Sequence, residues 1–201
     1  MRHAPLYVLA LVLSAPCVQA TEQQGWKPAI KVETYAISGQ SSRALYASIG
    51  ERGPMVRGGK TRAIAYTDFK LTWQRTYENP NGGCVLSAAR PSVTIVYRFP
   101  KPAEKLQPEV KANWDRFYAG IVTHEHRHGE FITSMVSRMV SETVGLSDEN
   151  DPSCKKVRAE LTRRLGAASR EKGQKDLNFD KTEMSDGGNV RQLVMTFVNG
   201  W

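Results

Sequence analysis

His124-Glu125-His126-Arg127-His128 spells H-E-x-x-H inside a long run of helical spacing, and reading that run as one helix decides the fold. From Pro108, suited to a first helical position, apolar residues recur at Trp114, Tyr118, Ile121, Ile132, Met135 and Met139. Phe117, Phe131 and Val136 widen the stripe. Glu125 and His128 fall in register with it, and His124 lies on its flank. An acid and an imidazole on a core-facing side are costly without partners, and a cation would satisfy them together. Gly145 is expected to end the helix, and Gly120 or Gly129 to break or bend it.

Outward from the helix, two kinds of pattern appear. Ile30 to Ile37 alternates as a half-buried strand, and Ser41 or Ser42 caps a short helix through Ile49. From Thr61 the period is two again, with Phe69, Leu71, Trp73 and, less regularly, Tyr77 on one side. Asn79-Pro80-Asn81-Gly82-Gly83 is a turn, and Val93, Ile95, Tyr97 and Phe99 form a second strand ending at Pro100. Asp151-Pro152 opens another helix carrying Cys154, Val157, Leu161, Leu165 and Ala168 at helical spacing. After Lys172 the chain is polar and loop-like to Gly188, and Gln192 to Val198 reads as a closing strand or a packed tail. The expected class is α+β: a small antiparallel sheet packed against a long H-E-x-x-H helix and a second, C-terminal helix.

Residues 1–20 carry Arg2 and His3, the apolar run Leu6 to Leu13, and Val18-Gln19-Ala20 as a small-residue cleavage site. That is the pattern of a secretory signal, too short to span a bilayer. The expected mature chain, residues 21–201, is one domain without a transmembrane segment, secreted to a periplasmic or extracellular location. Of 28 Lys and Arg, Arg2 leaves with the signal, so 27 face 20 Asp and Glu for a formal charge of +7. The basic residues Lys155, Lys156, Arg158, Arg163, Arg164 and Arg170 read as a solvated helix face or an anionic-surface site. No nucleic-acid motif is present, and these cations lack interleaved aromatics for stacking. With Cys17 removed, Cys84 and Cys154 most simply form one disulfide in an exported chain.

The chemistry suggested by H-E-x-x-H is zinc-assisted hydrolysis. Two imidazoles one helical turn apart can share a Zn2+ ion, and Glu125 can take a proton from water on the ion's open side. His124 and His128 are the candidate metal ligands and Glu125 the candidate catalytic base. A catalytic zinc takes a third protein ligand. His126 points roughly 200 degrees around the helix from His124, and His3 leaves with the signal, so an oxygen ligand is expected. Asp180, Asp186, Glu142 and Glu160 are the candidates, while Glu130 lies on the wrong side of its helix.

The ordered set Gly53-Pro54, Trp73, Cys84, Pro100, Trp114, His124 to His128, Cys154 and Phe179-Asp180 with Thr182 resembles the DUF922 family, described as predicted secreted zinc-dependent proteases. The resemblance spans roughly Ile30 to Gly188. It implies a zincin-like domain of the bacterial envelope, a zinc site and a disulfide joining Cys84 to Cys154. The family's late segment resembles Y-D-x-x-T-x-H-G, whose histidine would be a natural third ligand. Phe179 and Asp180 match its aromatic and aspartate, Thr182 falls one residue early for its threonine, and counted from Thr182 the histidine position holds Met184. Thioether sulfur is a poor zinc ligand. The leading expectation is therefore a secreted zinc metallopeptidase acting on a peptide or protein substrate, envelope-associated ones included. A catalytically silent envelope-binding module and a metalloenzyme cleaving a non-peptide amide are the alternatives.

Overall fold

The computed structural model describes residues 25–56, 58–59 and 61–199. The expected signal, with His3 and Cys17, lies outside the described residues. In chain order the elements are β1 (Ala29–Ile37), α1 (Ser42–Arg52), β2 (Met55–Val56), β3 (Thr61–Arg62), β4 (Tyr66–Glu78), β5 (Cys84–Pro102), α2 (Pro108–Thr143), β6 (Ser147–Asp148), α3 (Lys155–Met184) and α4 (Asn189–Asn199). The class is α+β, with a small mixed sheet packed against helices.

β4 and β5 form the expected antiparallel pair across the Asn79–Gly83 turn. Their register shifts between Thr76 and Tyr77, leaving Ser87 as the extra residue on β5. Because strand side chains alternate, this bulge switches the buried set from Cys84 and Leu86 to Ala89, Val93, Ile95 and Tyr97. The sheet is mixed rather than wholly antiparallel, since β1 lies parallel to β5 from Ala29↔Thr94 to Ile37↔Pro102. A parallel neighbour needs a long connection, here α1 and the segments up to β5. The period-two pattern from Thr61 also divides in two, because Ala63–Ala65 interrupts it between β3 and β4. The Ser41 hydroxyl caps α1 by accepting from Ala44 N–H at 3.2 Å.

α2 runs unbroken for 36 residues, so Gly120 and Gly129 do not interrupt it. Both are sites of close approach. A Cβ at Gly129 would sit 2.0 Å from Tyr97 Oη on β5, and one at Gly120 would sit 2.2 Å from Leu193 Cδ1 on α4. Each glycine lets another layer lie against the helix. Trp114, Phe117, Ile121, Ile132 and Val136 are buried against the inner face of β5 and against Phe197 of α4. A second cluster gathers Leu86, Val157 and Leu161 around the Cys84–Cys154 disulfide.

Two expectations for the C-terminal third are overturned. Residues 173–184 are not a loop: α3 continues to Met184. Its start is also later than expected, at Lys155, with the buried Asp151 carboxylate accepting from Lys155 and Val157 N–H. Of the strand and the packed tail expected for Gln192 to Val198, the packed tail is found: the segment is part of α4, which buries Val190 and Phe197. Among the described residues no helix is long and apolar enough to cross a membrane.

Candidate metal centre

The extension of α3 creates the site. His124 and His128, one turn apart on α2, face Asp176, Asp180 and Glu183, which recur at one-turn spacing along α3. Asp180 Oδ1 lies 3.0 Å from His128 Nε2 and 3.3 Å from His124 Nε2, and the two Nε2 atoms are 3.2 Å apart. These atoms make a near-equilateral triangle. Tetrahedral coordination with bonds of about 2.0–2.1 Å places neighbouring donors about 3.3–3.4 Å apart, within a few tenths of an ångström of the observed edges. The three residues could hold a metal ion.

Charge points the same way. Glu125, Asp176, Asp180 and Glu183 gather around two imidazoles, with the Lys172 ammonium paired to Asp176 at 2.7 Å. In the metal-free protein His128 takes up part of the imbalance. Burial opposes its charge, but the Asp176 and Asp180 carboxylates outweigh burial and push its pKa up to about 9. Burial raises Asp180 in turn, yet its hydrogen bonds to His124 and His128 hold it well below the usual carboxylate range. A divalent cation would supply the charge that the proton now provides.

Outer contacts fix the imidazoles. With Nε2 facing the triangle, His128 Nδ1–H donates to Asp176 Oδ1 at 3.0 Å, the arrangement that orients a metal-bound histidine and sets its tautomer. The His124 ring stacks on Phe179 at 4.8 Å, and Phe131 meets His128 and Phe179 edge-on. The pair therefore has an apolar surround, while Asp180, with 41% of its side chain exposed, marks the open side.

Glu125 is buried at the foot of the site, its Oε2 accepting from Thr67 Oγ1 of β4 at 2.5 Å. Burial raises its pKa above the ordinary value, against the opposing influence of Thr67, His124 and His128. β4 thus reaches the site through the Thr67 hydroxyl.

The other sequence candidates lie elsewhere. Glu142 pairs with Arg138, Glu160 with Arg163 and Arg164, and Asp186 with Arg191. Glu130 pairs with Arg127 on the exposed side of α2, and His126 packs against Tyr97. Met184 is half-exposed. Counted from Asp180 instead of Thr182, the family's histidine position falls on Ser185, so neither count supplies an imidazole. Thr67, Asp176 and Glu183 were not among the expected site residues. The signal for the two acids was their one-turn spacing about Asp180, which carries meaning only on a helix.

A family model described as "Bacterial protein of unknown function (DUF922)" matches residues 32–188. The chain belongs to the DUF922 family. That description assigns no activity, so the chemistry of a DUF922 protein has to be argued from its site. Comparisons with curated proteins and with solved structures find no match.

Proposed function

We propose that this DUF922 protein is an exported zinc-dependent peptidase in which His124, His128 and Asp180 hold the ion and Glu125 is the general base. The observation that carries the reading is the triangle of three donor atoms with edges of 3.0–3.3 Å, built beside a buried glutamate. Two histidines and a carboxylate also suit Fe(II). The buried acid adjacent in sequence to His124 favours a hydrolytic zinc centre.

Zinc, when bound, supplies Lewis acidity, making a water more acidic and a carbonyl more electrophilic. The protein's own groups do the rest. Glu125, raised in pKa by burial, is suited to accept a proton from water and return it to a leaving amine. Thr67 fixes the glutamate carboxylate, and Asp176 keeps His128 in the tautomer that leaves Nε2 free to ligate. Asp180 takes the third-ligand role that the family's histidine would fill.

The Cys84–Cys154 disulfide supports export, because such bonds persist in oxidising compartments. Four of the six cations behind a silent anionic-surface module have other partners. Lys156 pairs with Asp148, Arg163 and Arg164 with Glu160, and Arg158 lies over the Tyr77 ring.

Glu125→Gln tests the reading. The variant is expected to keep stoichiometric zinc and to lose about 10²- to 10⁴-fold in peptide hydrolysis. Peptidase activity equal to the wild type would remove Glu125 from the mechanism, and a zinc-loaded wild type inert to a broad peptide library would count against the peptidase.

A further inference from the structure

His128 and His124 differ in how their second ring nitrogens are satisfied. His128 Nδ1 has Asp176 at 3.0 Å, whereas His124 Nδ1 is buried without a hydrogen-bond partner. An imidazole that ligates through Nε2 carries its proton on Nδ1, and a buried N–H without an acceptor is unfavourable. The nearest carboxylate is Glu183, whose Oε2 lies 3.8 Å from His124 Nδ1 and whose side chain is only 12% exposed. Its other oxygen is already held: Asn189 Nδ2, at the start of α4, donates to Glu183 Oε1 at 2.8 Å. Asp176 shows the same construction, one oxygen on His128 and the other on Lys172 Nζ.

Building on the metal-site reading, we propose that Glu183, anchored by Asn189, accepts the His124 Nδ1–H when a metal occupies Nε2 and so positions that ligand. A shortening of under an ångström turns the 3.8 Å approach into a hydrogen bond, within reach of a side-chain rotation. α3 then supplies one ligand, Asp180, and flanks it with one orienting carboxylate for each histidine. Glu183 is a positioning residue, and through Asn189 the C-terminal helix becomes part of the metal centre.

The test is zinc affinity of the purified protein, measured by competition with a chromophoric chelator. Glu183→Ala is expected to weaken zinc binding about 10- to 100-fold, the range for losing a carboxylate behind a ligating histidine. Glu183→Gln keeps an acceptor oxygen and should recover most of the loss, and Asn189→Ala should fall between wild type and Glu183→Ala. In the zinc-loaded wild type the His124 Nδ1 proton should be protected from exchange by NMR, and in Glu183→Ala that protection should vanish. Unchanged zinc affinity in Glu183→Ala, or a Glu183→Gln variant as weak as Glu183→Ala, would overturn the role of Glu183 alone. A folded wild-type protein that binds no zinc would overturn the metal reading itself and this inference with it.

Discussion

The two halves of α3 use the same helical period for different chemistry. In the first half, Val157 and Leu161 are buried beside the Cys84–Cys154 bond, and the charges on the outer faces pair with one another. In the second half, the side facing α2 carries Lys172, Asp176, Asp180 and Glu183. The first half is held by apolar burial and a covalent link. The second is held by imidazoles and, in the proposed state, by a cation. The packed core and the proposed metal centre are thus segregated along one helix, and substitutions should separate them.

Removing the disulfide should have the largest effect on stability. The Cys84→Ser/Cys154→Ser pair opens a loop of 70 residues and is expected to lose roughly 4 kcal/mol in chemical denaturation. Zinc affinity, measured below the unfolding transition, should be unchanged; a large drop would mean that the halves are not independent. Leu161→Ala is a milder probe of the same half. It should cost about 3 kcal/mol in a urea titration, as buried leucine truncations do, again without touching zinc binding.

pH should act on the second half. In the metal-free protein the folded state binds the His128 proton more tightly than the unfolded chain does. That contribution to stability is full below about pH 6.5 and is lost as pH rises through about 9. Zinc must displace the same proton, so its affinity should rise by up to about tenfold per pH unit over this window. Calorimetry in two buffers of different ionisation enthalpy would detect the released proton. Zinc affinity independent of pH between 6.5 and 9 would show that zinc does not displace the His128 proton.

The same contrast explains what could be read from the sequence. α2 was legible because its inward side is mainly apolar, with Glu125 and His128 conspicuous in the stripe. β4 and β5 were legible from alternation, and the disulfide from having two cysteines after the expected signal. The second half of α3 was not, because a hydrophobic pattern cannot register a helix whose inward side is acidic. Asp176, Asp180 and Glu183 keep the spacing, but only the partner helix gives that spacing a reason. α4 is a different case: Val190, Leu193, Val194 and Phe197 do follow helical spacing, and reading Gln192 to Val198 as a bare apolar run concealed it. Thr67 was invisible for another reason, since its contact to Glu125 spans 58 residues and depends on where β4 meets α2.

In the proposed site α2 and α3 together build one metal centre, with Asp180 as its third ligand. Metal analysis and zinc titration of the purified wild type beside Asp180→Ala test it most directly. One zinc per wild-type chain is predicted, with affinity in Asp180→Ala lower by more than the roughly 100-fold expected of an outer-contact residue and the fold retained. A wild type without zinc would rule out the centre, and an Asp180→Ala variant that binds it equally well would rule out Asp180 as its third ligand.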